Sequence, residues 1–430
     1  MDRLRNVLVM ASGQLWLVPA LFFVGQGTLA FVLLSFGNEL ITEGGEAGWW
    51  LYGGEAETAR NLMSALLSGL MTMTSLVVSV TFVILTLAAN QLGPRLIAIF
   101  MSDKQIQSVL GLFVGTIFYI ILVMRSIDET LGADGVPHVA VTTGTFLVIL
   151  CLMALLFYIH KIARSIIADN VVEVVASELR DTMRRILPEG GDTGSGGEER
   201  SLAGSGWPLS LGQAGYLQVV DYDGLTATAC AHDMLIEVKV RAGHHLLDGG
   251  NHVVLHAPER PEADLLDTVR SAFTIGRQRT PAQDPEHGIR QLVEIATRAL
   301  SPGTNDPFTA IAVIDRLGAC FEIVLLRPQQ KRTYRDEQGT ARVIADRSSL
   351  PGMLEAAFNP IRQAGANHPA ILIRIVETIA ELKAIAKGPA DRSKLSQQLA
   401  RIAQTAEGQN LTEADRDDLA QAMRAAGHTG

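Results

Sequence analysis

The sequence predicts an α-helical membrane protein with four transmembrane helices, followed by a cytoplasmic α+β region made of a small β-barrel or sandwich and a helical bundle. Three observations predict this fold class. Apolar runs of membrane-spanning length lie within roughly the first 160 of the 430 residues. A segment of short β-branched runs follows them. Most of the remaining chain has the spacing of amphipathic helices.

Four runs are apolar over the roughly 20 residues that a membrane helix needs. They lie at about 16–36, 61–89, 106–124 and 138–159, inside a predicted transmembrane domain of residues 1–162. The third run is the shortest, and a buried core helix is the alternative for it. It is predicted to span because the loop charges alternate only if it does. Its Gly111 and Gly115 form a GxxxG pattern, which favours a helix contact within or between subunits.

The loop charges predict the orientation of these helices. Basic residues lie before the first run, between the second and third, and after the fourth: Arg3, Arg5, Arg95, Lys104, Lys161 and Arg164. The other two loops are mainly acidic. Because basic loops tend to stay in the cytoplasm, both termini and the large C-terminal region are predicted to be cytoplasmic.

The second run has no charged residue between Asn61 and Asn90 but many hydroxyl groups. At 100° per residue, one arc of roughly 80° holds most of its polar side chains and one large apolar one. We call this set the hydroxyl stripe: Asn61, Ser64, Ser68, Thr72, Ser75, Ser79, Phe82, Thr86 and Asn90. Small hydroxyl residues suit a packing seam between helices, and a continuous line of them also suits the wall of a water-filled pore. Both interpretations are open at this point.

Two features favour the pore. The stripe runs along the whole span, whereas a contact motif usually needs two turns. Glu55 and Glu57 would surround the outer mouth with carboxylates and concentrate cations there, and Phe82 would be an apolar constriction unless it is an ordinary packed aromatic. Four helices leave little room for a pore within one chain, so a homo-oligomer in the lipid bilayer is predicted. No charged residue lies inside a predicted span, which argues against a pump or an ion-coupled transporter.

The composition argues against several other classes. The formal net charge is −9, whereas nucleic-acid binding needs a basic face. Cys151, Cys230 and Cys320 are far apart, so neither a disulfide framework nor a cysteine metal site is expected. The chain contains no nucleophile elbow, HExxH motif, Walker loop or pair of catalytic carboxylates, so an enzyme is not expected.

Residues beyond the last run divide into three predicted parts. Residues 163–206 are an exit helix and a Gly-rich insert, 207–258 a small β domain, and 259–430 a helical domain with a β-hairpin near 330–348. The turns "RAG" and "DGG" in the β domain resemble those of the lipoyl and biotinyl carrier barrel. No lysine stands at that barrel's modification turn, so no cofactor is expected. Five histidines in or near this segment do not converge on strands, so no metal is expected: His232, His244, His245, His252 and His256.

The densest cluster of charged residues lies in "GRQRTPAQDPEHGIRQ", followed by a helix start in "NDPFTA". A helix N-terminus beside arginines attracts anions, which makes an anion or nucleotide site one interpretation. Its candidate ligand-binding residues are Arg277, Arg279, Arg290, Asn305 and Thr309. The alternative is a structural joint between two helices, because Asp284 and Glu286 would neutralise the arginines and Asp306 would cap the second helix.

Several stretches along almost the whole chain carry a family resemblance, among them "SLVVSVTFVILTLAANQLGPRL", "GYLQVVDYDGL" and "GRQRTPAQDPEHGIRQLVEIATRALSPGTNDPFTA". They resemble an uncharacterised family of predicted bacterial membrane proteins, domain of unknown function 2254. The resemblance implies an N-terminal membrane region, a cytoplasmic C-terminal region and a bacterial inner membrane as the location. It brings no catalytic residue. The resemblance leaves the function open. From the hydroxyl stripe we expect an oligomeric ion channel with the second run lining the pore and the cytoplasmic region as a regulatory or assembly domain. The alternative is a membrane-anchored sensor or scaffold that binds an anionic ligand or a protein partner.

Overall fold

A computed structural model describes residues 16–42, 51–92, 101, 103–128, 130–131, 135–165, 168–188 and 206–427. The chain divides into two compact units, the first ending at Ile167 and the second beginning at Ala168. The basic residues Arg3, Arg5 and Arg95 and most of the Gly-rich insert, on which sequence predictions were made, lie outside the described residues.

The first unit is helical. Its described helices are α1 (Leu17–Thr42), α2 (Ala56–Leu92), α3 (Lys104–Ser126) and α4 (His138–Ser165). Each contains an uncharged or nearly uncharged window with a mean hydropathy of 2.1 to 2.5, long enough to cross a membrane. The prediction of four apolar helices in the N-terminal part is therefore confirmed.

α3 is the central helix of this unit. In its apolar window 61% of the residues are buried, against 11% in α1 and in α2. Its glycines explain the close packing: a Cβ atom on Gly111 would lie 3.0 Å from Cα of Pro19, and one on Gly115 would lie 3.0 Å from the carbonyl oxygen of Phe22. The GxxxG pattern is thus a contact with α1 of the same chain.

α2 packs on the first unit along one narrow face. The residues of this face are spaced by seven, as in a coiled-coil seam: Ala56, Met63, Leu70, Val77 and Ile84. All five are at most 9% exposed. The rest of α2's circumference is largely open.

The second unit mixes helices with two sheets. Its described helices are α5 (Ala168–Ile186), α6 (Tyr222–Ala231), α7 (Ala263–Ser271), α8 (Pro285–Ala299), α9 (Pro307–Leu326), α10 (Leu350–Ala364), α11 (Pro369–Ile385), α12 (Pro389–Glu407) and α13 (Glu413–Ala425). Its described strands are β1 (Gly206–Leu209), β2 (Gly215–Val220), β3 (Leu235–Val238), β4 (His245–Leu246), β5 (Val253–His256), β6 (Phe273–Gly276), β7 (Thr333–Arg335) and β8 (Ala341–Ala345). A mixed α/β region with helices therefore follows the apolar helices.

The strands form two open sheets among the described residues, with orders β1-β5-β3-β8-β7 and β4-β2-β6. The predicted barrel is not confirmed, because neither sheet closes. The β7–β8 hairpin joins the first sheet through parallel pairing of Ile236 with Val343. Buried residues of both sheets, such as Leu217 and Ile236, share one hydrophobic core with α6 and α7. The hairpin predicted near 330–348 thus completes a sheet that begins more than a hundred residues earlier.

Candidate functional site

The hydroxyl stripe lies on the open side of α2. Its described side chains are all exposed, from Asn61 to Thr86, and Phe82 is 66% exposed. The side chain of Asn90 lies outside the described residues. At 100° per residue, the middle of the stripe is about 160° away from the middle of the buried face of α2. The stripe is therefore turned away from the other helices of its own chain.

The hydroxyl groups of the stripe make hydrogen bonds only to their own helix. Thr72 Oγ1 donates to the Ser68 carbonyl oxygen at 3.0 Å, and Thr86 Oγ1 donates to that of Phe82 at 2.9 Å. Within the described residues, no side chain of the stripe hydrogen bonds to another helix. These residues therefore do not form a packing seam within one chain.

Other polar groups hold α2 to α4. Tyr158 Oη donates to the Val77 carbonyl oxygen at 3.1 Å and also contacts Thr81 Oγ1. Thr81 lies outside the arc of the stripe. The first unit thus uses buried or half-buried hydroxyls for its own packing and leaves a second, separate set exposed.

Large apolar side chains flank the stripe on both sides. On one side Met71 and Val78 are 53% and 37% exposed, and on the other Leu76 and Val83 are 55% and 64% exposed. The open face of α2 is therefore a polar line between two apolar edges. In a bilayer such edges can contact lipid or another helix, whereas the polar line gains most from water.

The N-terminal end of the stripe is acidic. Glu55 and Glu57 are both exposed, and Glu57 stands one turn before Asn61 on the same arc. The preceding segment is anchored, because the Tyr52 backbone N–H donates to Thr142 Oγ1 at 3.0 Å. Among the described residues, Arg60 is the cation next to these carboxylates in the sequence, and it donates to the Ile127 carbonyl oxygen at 3.3 Å.

The second candidate site is the arginine cluster at the N-terminus of α8. Arg279 binds Asp284 through Nε at 2.8 Å and Nη2 at 2.6 Å, and the Asp284 side chain is 1% exposed. Gly243, at a φ of +91°, closes over this pair: a Cβ atom there would lie 2.3 Å from Asp284 Oδ2. The β3–β4 turn therefore needs glycine at this position.

Glu286 is the centre of the cluster. Its Oε1 accepts from Arg241 Nη2 at 3.0 Å and from Ser348 Oγ at 3.1 Å, and its Oε2 is 3.7 Å from Arg290 Nη2. Burial by itself would raise the pKa of Glu286, but Arg241, Ser348 and Arg290 outweigh burial and hold the pKa below its usual value. Arg241 also donates to Asp346 Oδ2 at 3.0 Å.

Nearby, burial and the guanidinium of Arg241 lower the pKa of His244, which favours a neutral imidazole beside the cluster. Three guanidinium groups (Arg241, Arg279 and Arg290) are thus matched by three carboxylates (Asp284, Glu286 and Asp346). The cluster ties the β3–β4 turn, α8 and the segment after β8 together, with its charge balanced internally.

The predicted ligand-binding residues are not brought together. Arg279 and Arg290 belong to the cluster, and Arg277 is exposed beside it. Asn305 and Thr309 lie beyond the other end of α8, whose 15 residues are about 22 Å long. There Asn305 takes a φ of +46°, and the Thr309 backbone N–H donates to Asp306 Oδ1 at 3.1 Å. These two residues build the capped joint between α8 and α9.

Sequence reasoning missed Arg241, Asp346 and Ser348. They lie far from α8 in the chain, and only the β3–β8 pairing brings them to it. The histidines of the β segment have local partners: Leu211 N–H donates to His252 Nδ1 at 3.2 Å, and His256 Nε2 is 3.3 Å from Glu237 Oε2. In the part of the chain that the structure describes, no group of three or more His, Cys, Asp or Glu residues is placed to hold a metal ion.

Comparison with known proteins places the chain in a family. A family model described as "Predicted membrane protein (DUF2254)" matches residues 12–381. The chain is similar to the uncharacterized proteins Mb1321c of Mycobacterium bovis and Rv1290c of Mycobacterium tuberculosis. Each is 27% identical to it over 97% of this chain and 80% of the relative. No solved structure matches the chain. With four apolar helices and a family match over most of its length, the chain belongs to the DUF2254 family of predicted membrane proteins.

Proposed function

We propose that this protein is a homo-oligomeric, cation-permeable channel of the bacterial inner membrane. In this proposal α2 of each subunit lines the pore, both termini are cytoplasmic, and the second unit regulates or assembles the channel. The observation that carries the proposal is the position of the hydroxyl stripe, which is exposed along α2 on the side away from the chain's own helices.

The energetics of a bilayer support a shared, water-filled axis. A row of hydroxyl groups gains nothing from lipid, and one copy of the chain offers it no partner helix among the described residues. A ring of subunits turns every stripe toward one axis and leaves the apolar edges of α2 for contacts with neighbours or lipid. Such a ring gives the stripe water without exposing a charge to lipid.

The stripe's chemistry suits cations. Thr72 and Thr86 donate their hydroxyl hydrogens to backbone carbonyls, so their oxygen lone pairs are what they offer outward. Glu57 adds a carboxylate in line with the stripe at its outer end. Rings of acceptor oxygens and carboxylates favour cations over anions.

Conductance in planar bilayers tests the proposal. The purified full-length protein is expected to conduct, and Ser75→Trp is expected to reduce single-channel conductance at least about tenfold by filling the narrow axis. Leu156→Trp is the matched control, because Leu156 on α4 is 63% exposed and apolar. Glu57→Gln is expected to lower the preference for cations over anions. A silent wild-type protein, or equal effects of the two tryptophans, would reject the channel.

A further inference from the structure

α2 is longer than a bilayer requires. It has 37 residues, about 55 Å of helix, whereas the hydrocarbon layer of a bilayer is about 30 Å thick. Fitting all of α2 into that layer would need a tilt of about 57°, more than the roughly 40° that membrane helices reach. Part of α2 therefore projects out of the hydrocarbon layer.

Two contacts fix the register between α2 and α4, which belong to the same unit. Tyr158 Oη donates to the Val77 carbonyl oxygen at 3.1 Å, and a Cβ atom on Gly144 would lie 3.4 Å from Met63 Sδ. In both pairs the α4 residue stands 81 positions after its α2 partner. The two helices therefore run parallel and in step.

This register places the excess length of α2 at its C-terminal end. His138, the first residue of α4, is level with Glu57, close to the start of α2. The apolar window of α4 ends at Ile162, level with Thr81, and α4 itself ends three residues later. Residues 82–92 of α2 extend about 16 Å past the level of Ile162. We call these residues the α2 extension.

The other described helices of the first unit do not reach beyond this level. α3 begins beside Asp103, whose Oδ2 is 2.5 Å from Lys161 Nζ, so α3 starts where the apolar window of α4 ends. α1 begins two residues before Pro19, which lies against Gly111, well inside α3. The 25-residue window of α4 is itself about 37 Å long and already crosses the hydrocarbon layer. The α2 extension therefore lies outside that layer.

The α2 extension is nevertheless apolar. Phe82, Val83 and Leu87 are 66%, 64% and 38% exposed. The sequence has no charged residue between Arg60 and Arg95. Inside lipid such side chains need no protein partner, but outside the hydrocarbon layer exposed apolar surface is unfavourable until another surface covers it.

The chemistry of the extension fits a second copy of the same helix. Leu85 and Leu87 lie about 100° from the middle of the hydroxyl stripe on opposite sides, and Thr86 continues the stripe between them. In a ring that turns the stripes toward one axis, these two flanks meet the flanks of neighbouring copies at the same height. Because the flanks carry no charge, identical copies do not repel one another there.

We infer that the α2 extension is a contact between subunits: outside the hydrocarbon layer, the extensions of neighbouring copies pack side by side as a helical collar that continues the pore. The inference rests on the proposed homo-oligomeric channel and adds a place where its subunits touch. Within the membrane the apolar edges of α2 can face lipid, whereas in the collar they need each other.

Oxidative cross-linking of a cysteine pair tests the collar. Full-length Leu85→Cys/Leu87→Cys, in a Cys230→Ser background because Cys230 is the exposed native thiol, is oxidised with copper phenanthroline in liposomes. The two side chains point about 160° apart on the helix, so they cannot bond within one chain. The expected result is a ladder of covalent oligomers that ends at the full ring.

Two pairs with the same spacing serve as controls. Leu76→Cys/Val78→Cys lies on the same two flanks of α2 but within the stretch level with the α4 window, so it reports on the ring alone. Leu150→Cys/Leu152→Cys lies on α4, where the two leucines are 41% and 46% exposed, and reports on random collision. The α4 pair is expected to give several-fold less cross-linked product than the collar pair.

Three results would overturn the inference. A ladder from the Leu76/Val78 pair alone would mean that the subunits form a ring but part beyond the membrane, which leaves the channel standing. Equal product from the collar pair and the α4 pair would mean that only collision joins the chains. No ladder from either α2 pair would reject the collar together with the ring on which it rests.

Discussion

The hydroxyl stripe and the arginine cluster are the two regions richest in polar side chains, and they are built in opposite ways. In the arginine cluster every carboxylate has a guanidinium partner, and Asp284 and Glu286 are at most 9% exposed on their side chains. In the stripe every described side chain is exposed and none bonds to another helix. A region whose charges pair with one another stabilises its own fold, whereas a row of exposed polar groups without a partner on another helix offers a surface to something outside the chain.

This difference bears on one part of the alternative hypothesis, the binding of an anionic ligand. The sensor hypothesis relied on arginines at the start of α8, but Arg279 and Arg290 already bind carboxylates there. The channel hypothesis relied on a continuous hydroxyl stripe with Glu55 and Glu57 near one end, and the described side chains of both are exposed. We therefore propose the stripe as the functional surface, and the paired charges of the arginine cluster make it a structural brace.

The largest effect is expected from breaking the arginine cluster. Glu286→Gln leaves Arg241 without its buried partner and should lower the free energy of unfolding by about 3 kcal/mol. Asp267→Asn is the control, because Asp267 pairs with Arg270 but is 74% exposed, so its loss should cost less than about 1 kcal/mol. Denaturant titration of the purified protein measures both. Equal losses of unfolding free energy in the two variants would mean that the arginine cluster does not stabilise the fold.

Acidic pH should also reveal how much Glu286 contributes to the stability of the folded protein. The pKa of Glu286 is lowered in the folded protein, so its ionised form adds stability above the ordinary value of 4.5. That stability is lost as the pH falls through the lowered value in the folded state. Glu286→Gln should therefore lose stability less steeply than the wild type below pH 4.5, and a parallel acid profile of the two proteins would contradict this.

A smaller effect is expected within the membrane helices. Tyr119 is fully buried and donates to the Ala140 carbonyl oxygen at 2.9 Å, so Tyr119→Phe should cost about 1 kcal/mol. Ser68→Ala should change stability by less than about 0.5 kcal/mol, because Ser68 is exposed on the stripe. Unfolding in mixed detergent micelles compares the two. A larger loss for Ser68→Ala would show that the stripe is a packing seam between subunits.

The sequence predicted best what depends on neighbours in the chain. The four apolar helices, the GxxxG contact and the Asp306 cap all follow from local spacing, and all are present. The arc of the stripe also follows from helical spacing. Which way the arc faces does not, since that depends on the face made by Met63, Leu70 and Val77, which no local rule marks as the inner one.

The predicted barrel and anion site depend on pairing between distant parts of the chain, which the sequence pattern does not show. The segment 207–258 contains strands, as predicted, but they belong to two open sheets, and β3 pairs in parallel with the distant β8. The same pairing brings Asp346 and Ser348 to Glu286 and completes a cluster whose arginines had suggested an anion site. The length of α8 then separates Asn305 and Thr309 from it.

The most direct test of the channel is water access along α2 in the assembled protein. Cysteines replace Ser64, Ser68, Ser75 and Ser79 on the stripe, Leu76 and Val83 on its edges, and Leu70 and Val77 on the packed face, in a Cys230→Ser background. A membrane-impermeant cationic thiol reagent should modify the four stripe positions and leave the others unmodified. If the stripe cysteines are as unreactive as those at Leu76 and Val83, the stripe does not line water and the protein is not a channel built on α2.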